Sequence, residues 1–311
     1  MNRYLVTGGA GFIGSHIAEH LAAKGFFVRV VDNFLTGKEE NIAAFLDGIE
    51  LVRGDIRDLE LCREALKDID YVLHQAALPS VPRSVENPLL TNAINIEGTL
   101  NILLASKDAS VKKVVFASSS SVYGDDEHLP KKEGLEGNPL SPYAVTKQAG
   151  EKYCQVFSEI YGLPTVCLRY FNVFGPRQDP FSEYAAVIPN FITRLLSDKA
   201  PIVYGDGEQS RDFTYIANVV EANLQAAHAP GVSGQVLNLG NGVRTSVNDL
   251  AKIIMGLTKK NIEPLHEEER PGDVRHSFAD ISKARTLLEY TPRVSIEDGL
   301  LRTIDWFRNQ Q

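Results

Sequence analysis

The stretch VTGGAGFIG, Val6 to Gly14, follows a strand-like RYLVT (3–7) and opens an amphipathic segment, FIGSHIAEHLAAK (12–24), that stops at Gly25. Gly8, Gly11 and Gly14 therefore stand at G-x-x-G-x-x-G spacing between a strand and a helix. Glycines here permit a tight turn and let the backbone approach a pyrophosphate at a helix N-terminus, where free N–H groups and the dipole favour an anion. The next strand-like run, FFVRVVD (26–32), ends in Asp32. An acid at that place accepts hydrogen bonds from adenosine ribose hydroxyls and repels a 2′-phosphate. The pattern predicts a dinucleotide-binding turn that prefers NAD to NADP. In GDIRD (54–58), Asp55 and Ile56 fall near the adenine if the fold is right, although Asp55 also reads as a carboxylate capping its own loop.

Outward from this turn, short apolar runs alternate with helical patterns. IELVRG (49–54), YVLHQAA (71–77), KKVVFASS (112–119) and PTVCLRY (164–170) are rich in Val, Ile and Leu, as strands buried on both faces are. Periodic segments at 58–67, 89–107 and 143–161 lie between them. The alternation predicts an α/β chain with a doubly wound, Rossmann-type parallel sheet and right-handed crossovers. After residue 170 the texture changes to Gly/Pro/Asp-containing loops (NVFGPRQDPFSE, YGDGEQSRDF, EERPGDVRH) between shorter elements. The expected division is 1–170 as an NAD-binding domain, with contributions from later segments, and 171–311 as a smaller mixed α/β region that binds substrate.

The 311 residues carry 32 Lys+Arg against 40 Asp+Glu, a net charge of −8. That balance argues against broad nucleic-acid or acidic-membrane binding, so an anionic ligand must meet a local positive site. Cys62, Cys154 and Cys167 are widely spaced and form no C-x-x-C pair, which points to reduced thiols and a cytoplasmic setting rather than a disulfide framework or zinc site. No metal-ligand spacing occurs among the seven histidines, the chain opens directly on a strand without a signal peptide, and no apolar run is long enough for a membrane span.

SPYAVTK (141–147) places Tyr143 four residues before Lys147, just after Pro142. Proline fits a helix start, so the phenol and the ammonium share one face near that start. Beside a dinucleotide, the lysine and a cationic nicotinamide should lower the tyrosine pKa from about 10 and make it a general base. VVFASSSSVYG (114–124) ends the fifth strand in a serine run, from which Ser119 can hydrogen-bond the same substrate oxygen. A solvated Tyr–Lys pair on a surface helix is the bland alternative.

With the glycine loop, LHQAA, SSSSVYG, Y-x-x-x-K, LRYFNVFGPR and RPGDVRH, the sequence resembles the extended short-chain dehydrogenase/reductase family over nearly its whole length, and most of all its nucleotide-sugar 4-epimerases. The resemblance implies that Tyr143 removes the sugar 4-hydroxyl proton while the C4 hydride passes to NAD⁺. The 4-keto sugar then turns over while its nucleotide stays anchored, and hydride returns to the other face. Lys147 tunes the base, and Ser119 and Ser120 position the 4-oxygen. It further assigns Phe12, Ile13, Asn33, Asp55, Ile56, Gln75, Ala76, Ala77, Asn95 and Tyr170 to the cofactor. To a UDP-sugar it assigns Ser80, Ser121, Asn172, Ala186, Val187, Tyr204, Gln209, Arg211, Arg270, Asp273 and Ser277. Arg211 and Arg270 suit a diphosphate because the guanidinium is a planar, permanent charge, although surface ion pairing is the plainer role.

A related branch dehydrates the keto sugar with an Asp–Glu pair after the residue equivalent to Ser119; here Ser120 and Ser121 stand there, which argues against dehydration. A glucuronate would want a cation near C6, and the AALPSVPRS loop (76–84) offers Ser80, with Arg83 further along. The family restricts its pocket with a tyrosine where this chain has Ser277, so the resemblance favours UDP-GlcNAc/UDP-GalNAc with some UDP-Glc/UDP-Gal activity; Ser277 can equally make a turn hydrogen bond. RHSFAD, VPRSVENP and YAAVIP also resemble epimerases of acetylated sugars. The alternatives are a UDP-glucose or UDP-glucuronate epimerase and, in another class, a non-catalytic NAD-sensing protein, against which Ser119, Tyr143 and Lys147 are all retained. Packing of the 89–107 and 143–161 helices into a four-helix bundle is the homodimer the resemblance implies.

Overall fold

The apolar runs become parallel strands: β1 (Arg3–Thr7), β2 (Phe27–Asp32), β3 (Glu50–Arg53), β4 (Tyr71–His74), β5 (Lys113–Ser119) and β6 (Thr165–Tyr170). This is a computed structural model that describes residues 1–135, 137–180, 187–269 and 274–310. A further strand, Gln235–Leu239, comes from the C-terminal half, and its pattern was not singled out in the sequence. It completes a seven-stranded sheet in the order Gln235–Leu239, β6, β5, β4, β1, β2, β3, in which every neighbouring pair is parallel. The sheet takes this strand because QVLNL, set between Gly234 and Gly240, carries Val236, Leu237 and Leu239, and four of its five residues are buried beside β6.

Successive side chains of a strand point to opposite faces. Val6, Val30, Leu73 and Val115 accordingly enter one core, while Leu5, Val31, Val72 and Val114 enter the other. Helices cover both faces; in chain order they include α1 (Phe12–Ala23), α2 (Leu59–Ala65), α3 (Val81–Glu86), α4 (Pro88–Asn92), α5 (Gly98–Asp108), α6 (Pro142–Ile160), α7 (Val187–Leu196) and α8 (Ile216–His228), of which α1, α6 and α8 pack on the strands and α7 packs on the helices Val247–Thr258 and Ile296–Arg308. The three cysteines are buried free thiols.

The expected single helix at 89–107 is instead α4 and α5 joined by a wide π turn, Ala93–Glu97. An inserted residue widens a helix locally, and here it turns Asn95 inward. Asn95 Oδ1 accepts the Leu78 N–H at 2.7 Å, and its Nδ2 donates to Thr146 Oγ1 at 3.0 Å.

The sheet order changes direction between β1 and β4. Such a switch leaves a crevice at the carboxyl ends of the strands.

Candidate active site

A cleft of ≈ 730 Å³ opens at that crevice. It is lined by Gly8, Gly11, Phe12, Ile13 and Gly14 after β1, Asp32 and Asn33 after β2, and Asp55 and Ile56 after β3. Gln75, Ala76, Ala77 and Ser80 after β4, Tyr143 and Lys147 of α6, and Tyr170 of β6 line it as well. Asn95 does not line the cleft: it is buried, and its amide fixes the loop after β4 instead.

The turn after β1 has no room for side chains. Gly8 adopts φ +67°, and a β-carbon there would lie 2.8 Å from the Ala76 backbone. No side chain caps α1, so the N–H groups of its first turn, at Phe12, Ile13 and Gly14, are left for an anion. Asp32 is buried, accepting the N–H of Ala10 (2.9 Å) and Phe34 (2.8 Å), and burial pushes its pKa up. These features fit the pyrophosphate and ribose of a dinucleotide. Asp55 is tied by Arg57 and Asn33, and the Arg57 hydrogen bond foremost holds its carboxyl down at about 2.

At the other end, the phenol, the ammonium and the strand end converge. Ser141 caps α6 by accepting the Ala144 N–H at 3.2 Å, Pro142 occupies the first turn, and Ser84 Oγ takes the Tyr143 N–H at 3.1 Å. Lys147 Nζ lies 5.8 Å from the Tyr143 ring centre and donates to the Ala117 carbonyl at 2.7 Å. Ser119 hydrogen-bonds the phenol. In the protein alone the tyrosine does not show the lowered pKa expected from the sequence. Desolvation pushes the phenol up to about 12, against which the Ser119 hydrogen bond acts. Burial likewise pulls Lys147 down to about 8. Ser120 and Ser121 follow in a short 3-10 turn capped by Ser119, and Ser121 Oγ is shielded from solvent without a hydrogen-bond partner among the described residues.

The remaining substrate candidates gather elsewhere. Ser210–Arg211 pairs with Thr245–Ser246 and with His276–Ser277, and Ser277 is the register partner of Arg211. Gln209 Nε2 donates to the Tyr204 carbonyl at 2.7 Å beside this small sheet. Asn172, at φ 30°, donates to the Asp212 carbonyl at 3.3 Å, and Val187 opens α7. None of these residues lines the cleft. Ala186, Arg270 and Asp273 lie outside the described residues.

Other residues at the cleft carry no local signal of their own in the sequence. Lys38 and Arg177 line the cleft and, with Arg83 and Lys147, set four cations against Asp32, Asp55 and Asp179. Lys38 Nζ lies 3.6 Å from Asp179 Oδ2, and Arg177 Nη2 donates to Glu19 Oε2 at 2.7 Å. The available signal was Gly37, whose added β-carbon would fall 2.8 Å from Asp32 Oδ1, so a glycine was needed for that loop to lie on the acid. Asn223 of α8 accepts from both Tyr170 Oη and Gln75 Nε2 and holds that wall.

Residues 4–240 match the NAD dependent epimerase/dehydratase family. The chain is 42% identical over 307 residues to a putative UDP-glucose 4-epimerase of Methanocaldococcus jannaschii, covering 98% of each. It superimposes with a TM-score of 0.96 and 43% identity on a UDP-N-acetylglucosamine 4-epimerase from Methanobrevibacter ruminantium in complex with UDP-N-acetylmuramic acid, covering 100% of this chain and 99% of that one. A Thermotoga maritima UDP-glucose 4-epimerase with UDP-glucose gives a TM-score of 0.94 at 40% identity, covering 100% and 99%. With its glycine turn, its acid at the end of β2 and matches of this extent, the chain belongs to the NAD dependent epimerase/dehydratase family.

Proposed function

We propose that the protein interconverts UDP-N-acetylglucosamine and UDP-N-acetylgalactosamine, with some activity on UDP-glucose and UDP-galactose, by inverting the sugar at C4. The coarser activity, NAD-dependent 4-epimerisation of a UDP-sugar, goes with the family and with the relatives on both sides of the comparison. The acetylated substrate rests on one observation: the short, half-buried Ser277 is the register partner of Arg211. In this reading Arg211 and Asn172 hold the diphosphate, and a serine beside them leaves room that a tyrosine ring would occupy. The Methanobrevibacter enzyme supports the same substrate class.

The dinucleotide's pyrophosphate belongs on the Gly8–Gly14 turn and the N-terminus of α1, and its adenosine ribose on Asp32. NAD⁺, when bound, supplies a reversible hydride acceptor and a positive charge beside the phenol. Tyr143 takes the proton from the sugar 4-hydroxyl and later returns it, Ser119 orients the 4-oxygen, and Ser121 offers its unpartnered hydroxyl to the sugar. A phenol pushed up to about 12 is a poor base at neutral pH, so its ionisation depends on positive charge nearby. Lys147 is the protein's own source of that charge. Residues 1–170, with strand Gln235–Leu239, are assigned to the dinucleotide, and the rest of 171–311 to the UDP-sugar.

The proposal includes a homodimer. Val145, Tyr153, Val156 and Ile160 form an exposed apolar stripe along α6, beside the exposed Val85 of α3 and Leu89 of α4. Their helical spacing puts them opposite the face that α6 buries through Ala144, Gly150, Cys154 and Phe157.

The substrate is tested by measuring kcat/KM for both sugar pairs in the wild type and in Ser277→Tyr. Selective loss on the acetylated pair is expected, and equal loss on both pairs would contradict the role of Ser277. A second reading, UDP-glucose/UDP-galactose alone, draws on the Methanocaldococcus and Thermotoga relatives; a wild type active on that pair only would establish it.

A further inference from the structure

One helical turn beyond Lys147, α6 carries a second charged group that the reaction does not use. Glu151 is 2% exposed. Its carboxylate accepts Arg169 Nε at 2.8 Å and Arg169 Nη2 at 2.7 Å, a bidentate pair, and also the Ser118 hydroxyl. Arg169 stands on β6 next to Tyr170, with its guanidinium 4.6 Å from the Tyr123 ring centre. Ser118 falls between two groups that hold the dyad. The Ala117 carbonyl takes Lys147 Nζ, and Ser119 hydrogen-bonds the Tyr143 phenol. One side-chain hydrogen bond therefore ties the end of β5 to α6 at the point where both dyad contacts are made.

Stability alone does not account for such a pair. Replacing a buried ion pair by apolar side chains of similar volume is often neutral or stabilising. The location of this one, beneath the dyad and joined to its strand, indicates another role.

We propose that Glu151 is a positioning residue for the Tyr143–Lys147 dyad: clamped by Arg169, it fixes α6 on the end of β5 through Ser118 and holds a negative charge one turn from Lys147. This rests on the dyad assignment made above. The titratable and charged groups around Lys147 are Tyr143, Glu151 and Cys154 on its own helix, Cys167 and Arg169 on β6, and His74 on β4. Glu151 is the one carboxylate among these. Burial drives the Cys167 thiol up, and His74 is pulled down to about 3 by its own burial, which leaves both uncharged at neutral pH. Burial also lowers the Lys147 pKa, to about 8, and the Glu151 charge is among the interactions that oppose this.

The test uses the full chain with NAD bound. Glu151→Gln is expected to lower kcat about tenfold with KM within about twofold, and to move the basic limb of the kcat–pH profile down by about one unit, as a one-unit change in ammonium pKa corresponds to tenfold. Glu151→Asp keeps the charge and should bring that limb back toward the wild type. Superimposable profiles for Glu151→Gln and the wild type would overturn the proposal. If Arg169, left without its partner, makes Glu151→Gln insoluble, the Glu151→Leu/Arg169→Leu double variant decides. The proposal expects it to fold with a Tm near the wild type and to show the same kcat loss with a smaller limb shift, because the Arg169 charge leaves together with that of Glu151; wild-type kinetics would make the pair a packing feature only. Tyr143→Phe is the control. Surviving turnover there refutes the dyad itself, whereas collapse there beside a wild-type Glu151→Gln refutes this inference alone.

Discussion

A β-carbon added to Gly14 would lie 2.1 Å from the carbonyl oxygen of Gly8. The first turn of α1 is thus pressed against the loop that precedes it, and the dinucleotide turn keeps its shape only with glycine there. Gly14→Ala must push the helix away from the loop. Overpacking of this kind costs about 1–3 kcal/mol, so NAD affinity should fall roughly tenfold to a hundredfold. NAD content of the purified protein, read by absorbance and calorimetric titration, checks this. Gly256→Ala is the control: it lies in the helix Val247–Thr258 with nothing within 4 Å of the new carbon, and should leave NAD binding unchanged.

Tyr143→Phe removes the proposed base while keeping the ring that lines the cleft. Turnover should drop by about 10²–10⁴, the range of general acid–base catalysis, with NAD content at the wild-type level. Loss of both together would mean that the phenol holds the cofactor rather than the proton.

Stability should fall on mild acidification, in part because of His74. Its Nδ1 lies 2.6 Å from Thr7 Oγ1 and its Nε2 3.0 Å from Thr99 Oγ1. Thr99 donates its own proton to the Asn95 carbonyl, and Thr7 accepts the Ala76 N–H, so a neutral ring protonated at Nε2 satisfies the whole chain. Burial pulls the imidazole from 6.5 down to about 3. A depressed folded-state pKa gives stability that is present above pH 6.5 and lost as pH falls from there toward about 3. By pH 5 the loss should reach about 2 kcal/mol. Urea midpoints from pH 7.5 to 5 measure it, and His74→Gln should reduce the slope without abolishing it, since burial also pulls His16 down to about 4; an equal slope in both proteins would remove His74 as a source.

Ile160 is 70% exposed at the end of the α6 stripe. A charge there should split the proposed dimer without unfolding the chain, because the side chain supports no core. Light scattering at micromolar concentration should give a dimer for the wild type and a monomer for Ile160→Asp. A monomeric wild type would remove the dimer from the account.

Most of the parallel sheet was legible because its signals are local. β1 and the start of α1 fall where the RYLVT and VTGGAGFIG patterns put them, and each of β2 to β6 begins or ends within three residues of its apolar run. The π turn at Ala93–Glu97 was not legible, since its cause is the long-range bonding of Asn95 to Leu78 and Thr146. The strand Gln235–Leu239 hid for a similar reason: five residues broken by Gln235 and Asn238 show no strand pattern until β6 is beside them. Tyr143 and Lys147 could be found from their spacing, but not the sign of the phenol's shift in the protein alone, because desolvation is a property of the assembled cleft. Lys38 and Arg177 reach that cleft through loops far apart in the chain, joined by the Lys38–Asp179 pair, a juxtaposition only the fold creates.

The most direct measurement is a proton NMR time course of the purified protein with UDP-N-acetylglucosamine, no cofactor added. The account predicts a growing anomeric signal from the 4-epimer, produced by NAD that remains bound between turnovers. No change in this sugar or in UDP-glucose, even after NAD⁺ is supplied, would contradict it.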